Sequence, residues 1–205
     1  MEWTQLETDA LNEFFNLGLG RAAGSIGELT GREVDIHAPT IEFLPTENVL
    51  DFVPEENADN IVSIRLGFDG VIYGDSYLIM TDQSSNNLVR IILSQHMDQD
   101  ANMGEYVADT LGEVGNIILN ACLAAFCDTL NIELENGLPD VRMNTKESFL
   151  ANLNTEADAT GIVAHLKFSL QGAELEGFIL VYMEKGTLAT LRAKVSSFLR
   201  GVMDE

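Results

Sequence analysis

Asp9-Ala-Leu-Asn-Glu13-Phe-Phe-Asn16 has a counterpart 100 positions later in the chain, Asp109-Thr-Leu-Gly-Glu113-Val-Gly-Asn116. In both stretches three residues separate Asp from Glu and two separate Glu from Asn. In both, 22 residues then separate Asn from a proline, Pro39 or Pro139. This repeat predicts a duplicated unit in which each copy carries the same polar side chains on a helix.

The first stretch lies in a predicted long helix over residues 5–30, because apolar residues recur there at helical spacings. Thr8 or Asp9 is expected to cap its N-terminus, and Gly31 is expected to end it in a left-handed conformation. The second stretch lies in a similar helix over residues 106–130. The apolar stripe of the first helix consists of Leu6, Phe14, Leu17, Ile26 and Leu29.

Small residues inside both helices indicate that the two helices pack closely against each other. A glycine inside a helix costs roughly 1 kcal/mol relative to alanine, so several of them suggest a close neighbour. The alternative is that these glycines mark helix ends or local flexibility. The small residues are Gly20, Ala23, Gly24 and Gly27 in the first helix, and Ala121, Ala124 and Ala125 in the second.

Both halves of the chain predict the same order of elements. After each long helix come a strand, a polar loop, a two-stranded hairpin and a closing helix. The predicted strands cover 34–38, 61–68 and 71–81 in the first half, and part of 131–143, 162–170 and 175–183 in the second. The loops cover 45–60 and 144–160, and the closing helices cover 83–96 and 188–202.

Adjacent hairpin strands imply antiparallel pairing. We therefore predict an α+β fold in which a duplicated helix–β–β–β–helix unit with pseudo-twofold symmetry forms a largely antiparallel sheet packed with two long helices. Residues 1–205 are predicted to form a single domain built from two repeats, at about 5–100 and 105–202.

The composition limits the classes of partner. The formal net charge is −22, from 33 acidic and 11 basic residues, which disfavours binding to nucleic acid or to an anionic membrane surface. A partner with a basic patch is compatible with this charge, and so are plain solubility and adaptation to a salty cytoplasm. The chain has no run of about 18 apolar residues and no signal-peptide pattern at its start, so a cytoplasmic location is predicted.

The repeated polar residues occupy positions i, i+4 and i+7 of each helix and should project from one face. Such a row can be a solvated stripe. Two copies with identical offsets favour a site, because asparagine is a poor helix former and duplication alone gives no reason to keep it. An asparagine can orient a water molecule, and positioning supplies much of the rate in phosphoryl transfer. No cluster has metal-ligand spacing, so the substrate is expected to bring its own metal.

Both stretches, together with the prolines that follow them, resemble the signature of the CheC-type phosphatases of bacterial and archaeal chemotaxis, and the resemblance covers the whole chain. It implies hydrolysis of the aspartyl phosphate of a CheY-type response regulator, with Mg²⁺ on the regulator and no cofactor bound by this chain. The roles it implies are regulator binding for Glu13 and Glu113, orientation of the attacking water for Asn16 and Asn116, support for Asp9 and Asp109, and a structural role for Pro39 and Pro139.

Because it has two intact motifs and no extra domain, the chain most resembles the CheC branch of this family. CheX-type relatives keep only the second site, and FliM-type relatives lack the motif. A monomer is expected because the chain already contains an internal pseudo-dimer, and CheD is a conditional partner.

The competing hypothesis is a non-catalytic module that binds a response regulator, CheD or a flagellar switch component. The first helix has Gly18-Leu-Gly20 after its asparagine where the second has Ile117-Ile-Leu-Asn120, so the two sites are expected to differ, in an order that the sequence does not rank.

Overall fold

The computed structural model describes residues 3–38, 40–51, 60–93, 106–153, 160–170 and 172–203. The first half contains α1 (Gln5–Thr30), β1 (Val34–His37), β2 (Ile41–Pro45), a 3₁₀ turn (Thr46–Asn48), β3 (Ile61–Gly70), β4 (Gly74–Thr81) and α2 (Asp82–Leu93). The second half contains α3 (Val107–Leu130), β5 (Leu134–Asn136), β6 (Asp140–Asn144), α4 (Lys146–Asn152), β7 (Thr160–Leu170), β8 (Ala173–Met183) and α5 (Lys185–Met203).

Both halves contribute strands to one antiparallel sheet of eight, in the order β1-β7-β8-β4-β3-β5, with β2 also paired to β7 and β6 to β3. β1 and β2 lie end to end along β7, and β5 and β6 lie end to end along β3. Each half therefore pairs its broken strand with the hairpin of the other half, while β4 and β8 meet at the centre. The predicted α+β fold class and its antiparallel sheet are confirmed.

Two local predictions were wrong. In the described residues each half has four strands rather than three, because two short strands follow each long helix, β1 and β2 in the first half and β5 and β6 in the second. Pro39 itself lies outside the described residues, as do 52–59 and 154–159 of the predicted loops. The second loop also contains α4, whose N-cap Thr145 accepts a hydrogen bond from the Ser148 N–H at 3.1 Å. Its Phe149 is buried against the sheet, which gives this short helix a tertiary anchor.

The sheet is covered on both faces. Along β4, Leu78 and Met80 belong to the large core that packs against the helices. Tyr77 and Ile79 belong to a smaller core on the opposite face, which includes Phe149. This alternation is the period of two expected for a strand, and it explains why the central strands have few exposed side chains.

The ends of α1 are set by specific caps. Gly31 has a φ of 63° and ends the helix in the left-handed conformation, as predicted. The N-cap is Thr4 rather than Thr8 or Asp9, and it forms a capping box with Glu7. The Glu7 side chain therefore forms part of the N-terminal cap and also contacts α5.

The predicted apolar stripe of α1 was only partly correct. Leu6, Leu17 and Leu29 are 49%, 44% and 48% exposed, whereas Phe14 and Ile26 are buried. Apolar residues lie on more than one face of this helix, so spacing alone did not identify the face that packs. The buried face instead consists mainly of Leu11, Phe14, Phe15, Leu19, Ala22, Ala23 and Ile26.

α1 and α3 are in direct backbone contact, as their small residues predicted. A Cβ atom on Gly18 would lie 2.6 Å from the Cα of Cys122. Gly20 and Gly24 were expected to make this contact, but a Cβ atom on either would meet no atom within 4 Å. Phe14 and Gly18 meet Phe126 and Cys122 respectively, so residue numbers rise along α1 as they fall along α3. The helices are therefore antiparallel.

α3 is the one helix in the described ranges that is long and apolar enough to cross a membrane. More than half of its apolar segment, 56%, is buried inside the protein. Contacts with α1 and the sheet account for its apolar composition, because a helix buried in the core of a folded domain is apolar on most of its surface.

A buried ion pair joins the start of α1 to α5. Glu7 is 6% exposed. Its carboxylate accepts hydrogen bonds from the Thr4 backbone N–H at 2.8 Å, the Ser196 hydroxyl at 2.6 Å and the Arg192 Nε at 3.1 Å. Burial alone would raise the pKa of Glu7, but the hydrogen bonds from Ser196, Thr4 and Arg192 outweigh it and lower the pKa to about 2. This contact ties together distant parts of the chain.

Replacing Gly18 by alanine should destabilise the protein, because the new methyl group would lie 2.6 Å from the Cys122 Cα and 2.8 Å from the Ala121 carbonyl oxygen. We expect the free energy of unfolding to fall by about 1–3 kcal/mol in urea titrations followed by circular dichroism. Gly20→Ala is the matched control, since its methyl group meets open space and should raise stability by up to about 1 kcal/mol. Equal stability of the two variants would contradict the close helix contact.

Glu7→Gln should remove a stabilisation that depends on pH. Because the pKa of Glu7 falls from 4.5 to about 2 on folding, its contribution is complete above about pH 5 and disappears as the pH falls toward 2. The difference in free energy of unfolding between wild type and Glu7→Gln should therefore be constant near neutrality and shrink between pH 4.5 and 2. Ser196→Ala should show a smaller difference of the same sign. A difference that grows on acidification would refute this assignment.

Candidate functional site

The structure places the two repeated polar sets on α1 and α3. In each set the two carboxylates are exposed and the asparagine is half-buried at the edge of the helix. Because the helices are antiparallel, the sets lie at different levels of the helix pair. The first set is Asp9, Glu13 and Asn16, and the second is Asp109, Glu113 and Asn116.

In the first set, the carboxamide of Asn16 is engaged by the protein backbone. Its Nδ2 donates to the Ala38 carbonyl at 2.9 Å and to the Asn12 carbonyl at 3.0 Å, and its Oδ1 accepts from the Ala38 N–H at 2.9 Å. Both hydrogens of the amide are therefore used, and one acceptor position of Oδ1 remains. In this conformation Asn16 holds the end of β1 against α1.

In the second set, the carboxamide of Asn116 is held by a side chain instead. Asn120, one turn further along α3, donates from its Nδ2 to the Asn116 Oδ1 at 2.7 Å and to the Asn116 carbonyl at 2.9 Å. Asn136, the last residue of β5, donates in turn to the Asn120 Oδ1 at 2.6 Å. The Asn116 Nδ2 donates to none of the described residues, so both of its hydrogens are available to a ligand.

Backbone partners fix which way each amide points. The Asn120 Nδ2 must be a nitrogen, because it lies at hydrogen-bond distance from the Asn116 carbonyl oxygen, which can only accept. The Asn116 atom that faces this nitrogen must then be its oxygen. The Ala38 N–H and carbonyl fix the orientation of Asn16 in the same way. The difference between the two sets is therefore independent of amide assignment.

Three matched positions account for the difference. Gly20 in the first half corresponds to Asn120 in the second, and Ile36, buried in the core, corresponds to Asn136. Ala38 is 1% exposed and bonded to Asn16, whereas its counterpart Leu138 is 88% exposed. The sequence had shown the change at position 120, but the participation of Asn136 depends on how β5 pairs and could not be read from spacing.

The backbone beneath Asn116 is closely supported by the sheet. A Cβ atom on Gly115 would lie 2.5 Å from the Ile64 Cγ2 of β3, so α3 approaches the sheet directly beside Asn116. The counterpart of Gly115 in the first half is Phe15, which fills the corresponding core position with a large side chain. Gly115 thus fixes the height of Asn116 above the sheet.

An open groove lies beside Asn136, the residue that donates to Asn120. Asn136 and Leu138 line a depression of about 810 Å³ whose other walls come from the end of the β3–β4 hairpin and the end of β8. Pro139, half-buried, follows Leu138 in the same segment between β5 and β6. A structural role for this proline stays a prediction. A macromolecule that covered Glu113 and Asn116 would also meet this exposed segment.

Metal ligation by the side chains of this chain is not seen within the described ranges. No group of three or more His, Cys, Asp or Glu side chains there could hold a metal ion. His37 lies beside Asp35 at 3.2 Å on the surface, and His96 lies outside the described residues. The expectation that a partner supplies the metal stays a prediction.

Comparison with known proteins gave two informative sequence relatives, although no family model matches the chain. The CheY-P phosphatase CheC of Bacillus subtilis is 25% identical over 140 residues, which are 67% of this chain and 66% of CheC. The flagellar motor switch phosphatase FliY of the same organism is 22% identical over 142 residues, which are 68% of this chain and 36% of FliY. The matched region thus spans slightly less than two thirds of CheC and about a third of FliY.

Solved structures share the fold over nearly the whole chain. Thermotoga maritima FliY superposes with a TM-score of 0.72 at 15% identity, covering 97% of this chain and 100% of that structure. The middle domain of Helicobacter pylori FliM superposes with a TM-score of 0.64 at 8% identity, covering 94% and 99%. At these identities the solved structures establish the fold alone. The similarity to CheC and FliY of Bacillus subtilis rests on the sequence. In sequence the chain is thus similar to the phosphatases CheC and FliY, and in fold it is similar to FliY and FliM.

Proposed function

We propose that this chain hydrolyses the aspartyl phosphate of a CheY-type response regulator in chemotaxis signalling. The observation that carries the proposal is the pair of Glu and Asn residues repeated on α1 and α3, in a chain related to a protein named as a CheY-P phosphatase. A cytoplasmic location follows from this role. An association with CheD and a monomeric state remain predictions.

In the proposed mechanism, the regulator carries both the phosphoryl group and the Mg²⁺. An exposed glutamate of this chain, Glu113 or Glu13, binds a lysine of the regulator and sets the orientation of the two proteins. An asparagine then holds a water molecule in line with the phosphorus. The water oxygen bonds to phosphorus as the bond to the aspartyl oxygen breaks, releasing phosphate and a free carboxylate. Positioning of this kind can supply much of the rate in phosphoryl transfer.

The second set fits this mechanism better than the first. The Asn116 amide keeps both hydrogens available, and the Asn120 side chain holds it in one orientation. The Asn16 amide would have to release Ala38 before it could bind a water through its nitrogen. We therefore assign the larger share of turnover to Glu113 and Asn116.

A binding module without hydrolysis is the second candidate. The observation that favours it is the engagement of Asn16, which leaves Glu13 exposed as a docking group without an available amide donor beside it. Both candidates predict a complex with the regulator, and only the first predicts faster loss of phosphate.

The distinguishing measurement is release of inorganic phosphate from a phosphorylated CheY-type receiver domain in the presence of Mg²⁺. Wild type should accelerate release over the receiver alone. Asn116→Ala should lower kcat by about 100-fold at that site, because the water loses its orientation. Asn16→Ala should reduce total turnover far less. Release at the rate of the receiver alone would reject the phosphatase and leave the binding module.

Asn152→Ala is the matched control for these substitutions. Asn152 lies on α4 and, like Asn16 and Asn120, donates to the backbone carbonyl one turn earlier, that of Ser148 at 2.7 Å. Its loss should leave turnover unchanged. Full activity in the double variant Asn16→Ala, Asn116→Ala would refute the role assigned to the asparagines.

Charge reversal at Glu113 should act on binding. Glu113→Lys should raise KM by more than about ten-fold, because a lysine would repel the lysine of the regulator, while kcat at saturating regulator changes little. Glu174→Lys makes the same charge change on β8 and should leave KM within about two-fold of wild type. A fall in kcat with unchanged KM for Glu113→Lys would contradict the docking role.

A further inference from the structure

We propose that Asn120 and Asn136 are positioning residues of the second site, which hold the Asn116 carboxamide with its nitrogen turned outward toward a bound partner. The inference rests on the proposed function for its consequence in catalysis. Its structural part can be tested without any activity. Neither residue belongs to the repeated Asp, Glu and Asn pattern, since the first half has Gly20 and Ile36 at the corresponding positions.

The side-chain amides of Asn136, Asn120 and Asn116 form a relay of hydrogen bonds, in which each amide donates to the next. Asn136 donates to the Asn120 oxygen at 2.6 Å, which turns the Asn120 nitrogen toward Asn116. That nitrogen donates to the Asn116 backbone carbonyl at 2.9 Å and to its side-chain oxygen at 2.7 Å. Each bond determines the orientation of the next amide, because an amide group presents donors on one side and acceptors on the other. The Asn116 nitrogen is left without a hydrogen-bond partner among the described residues.

α3 and β5, the two elements that carry this relay of hydrogen bonds, are both fixed against β3. α3 supports Asn116 and Asn120 one turn apart, and Gly115 allows that helix to approach Ile64 of β3. Asn136 lies opposite Phe68 in the pairing of β5 with β3. The donor to Asn120 thus comes from the sheet, and the acceptor on Asn116 comes from the helix. A relay that joins two separate elements can hold an exposed amide in one rotamer, which an isolated helical asparagine would not maintain.

The relay explains why a water or a phosphoryl oxygen would be bound by Asn116 in a single geometry. Without Asn120, the Asn116 amide could rotate and present its oxygen or its nitrogen with similar ease. Only the conformer with the nitrogen outward offers two hydrogens to an oxygen of the ligand. Loss of the relay should therefore reduce the competent fraction of Asn116 and lower kcat, while docking through Glu113 is retained.

The structural test is an NMR measurement of the Asn116 side-chain amide in the full chain without a partner. Asn120→Ala and Asn136→Ala should each lower the order parameter of the Asn116 Nδ2, and Asn152→Ala should leave it at the wild-type value. Asn120→Asp is close to isosteric. Its carboxylate would accept from the Asn116 nitrogen and turn the amide over, shifting the Nδ2 resonance while keeping the side chain ordered. Unchanged order of Asn116 in Asn120→Ala and Asn136→Ala would overturn the relay.

The catalytic test uses the same variants with the phosphorylated receiver and Mg²⁺. Asn120→Ala should lower kcat by about ten-fold and Asn136→Ala by about three-fold, with KM within about two-fold of wild type. Asn152→Ala, which also removes a bond from a helical asparagine to the backbone carbonyl one turn earlier, should leave kcat and KM unchanged. If wild type itself fails to accelerate phosphate release, the proposed function fails, while the NMR result still decides the relay. Normal kcat in Asn120→Ala would overturn the positioning role.

Discussion

The close contact of α1 with α3 is the constraint on which the rest of the structure depends. Gly18 lacks a side chain where the backbone of Cys122 passes, so the two helices approach more closely than any larger residue would allow. This contact puts both long helices on one face of the shared sheet and leaves their polar faces exposed at different levels. The exchange of strands between the halves, with β1 and β2 on β7 and with β5 and β6 on β3, makes the two repeats depend on each other.

On this common framework the two polar sets have diverged through their immediate neighbours. The same residue type, asparagine, has a different set of partners in each half. Asn16 bonds to the Ala38 backbone and stabilises the junction of helix and strand. Asn116 is held by Asn120 and keeps its nitrogen available. A duplicated motif therefore does not imply duplicated chemistry, because the availability of an amide depends on its hydrogen-bond partners more than on its position in a pattern.

Much of the architecture could be predicted from the sequence, and the failures have physical causes. Helical spacing and turn residues identified both long helices, the two hairpins and the left-handed end at Gly31. They missed α4, whose stability depends on burial of Phe149 against the sheet. The small residues predicted the helix contact, but at Gly20 and Gly24 rather than at Gly18. The residue that Gly18 approaches, Cys122, lies in the other half of the chain, so the sequence near Gly18 does not reveal it. Likewise, the repeat identified Asn116 as a candidate, but the part played by Asn136 depends on strand pairing.

The second set, with the Asn116 amide held by Asn120, is the proposed docking site of a response regulator. The most direct measurement is an NMR titration of the isotopically labelled chain with a CheY-type receiver domain activated by Mg²⁺ and beryllofluoride, which mimics the phosphoryl group. The account predicts that the largest changes occur at the Asn116 side-chain amide and at Gly137 and Leu138. Changes confined to α1 around Asn16, or no changes at either helix, would contradict it.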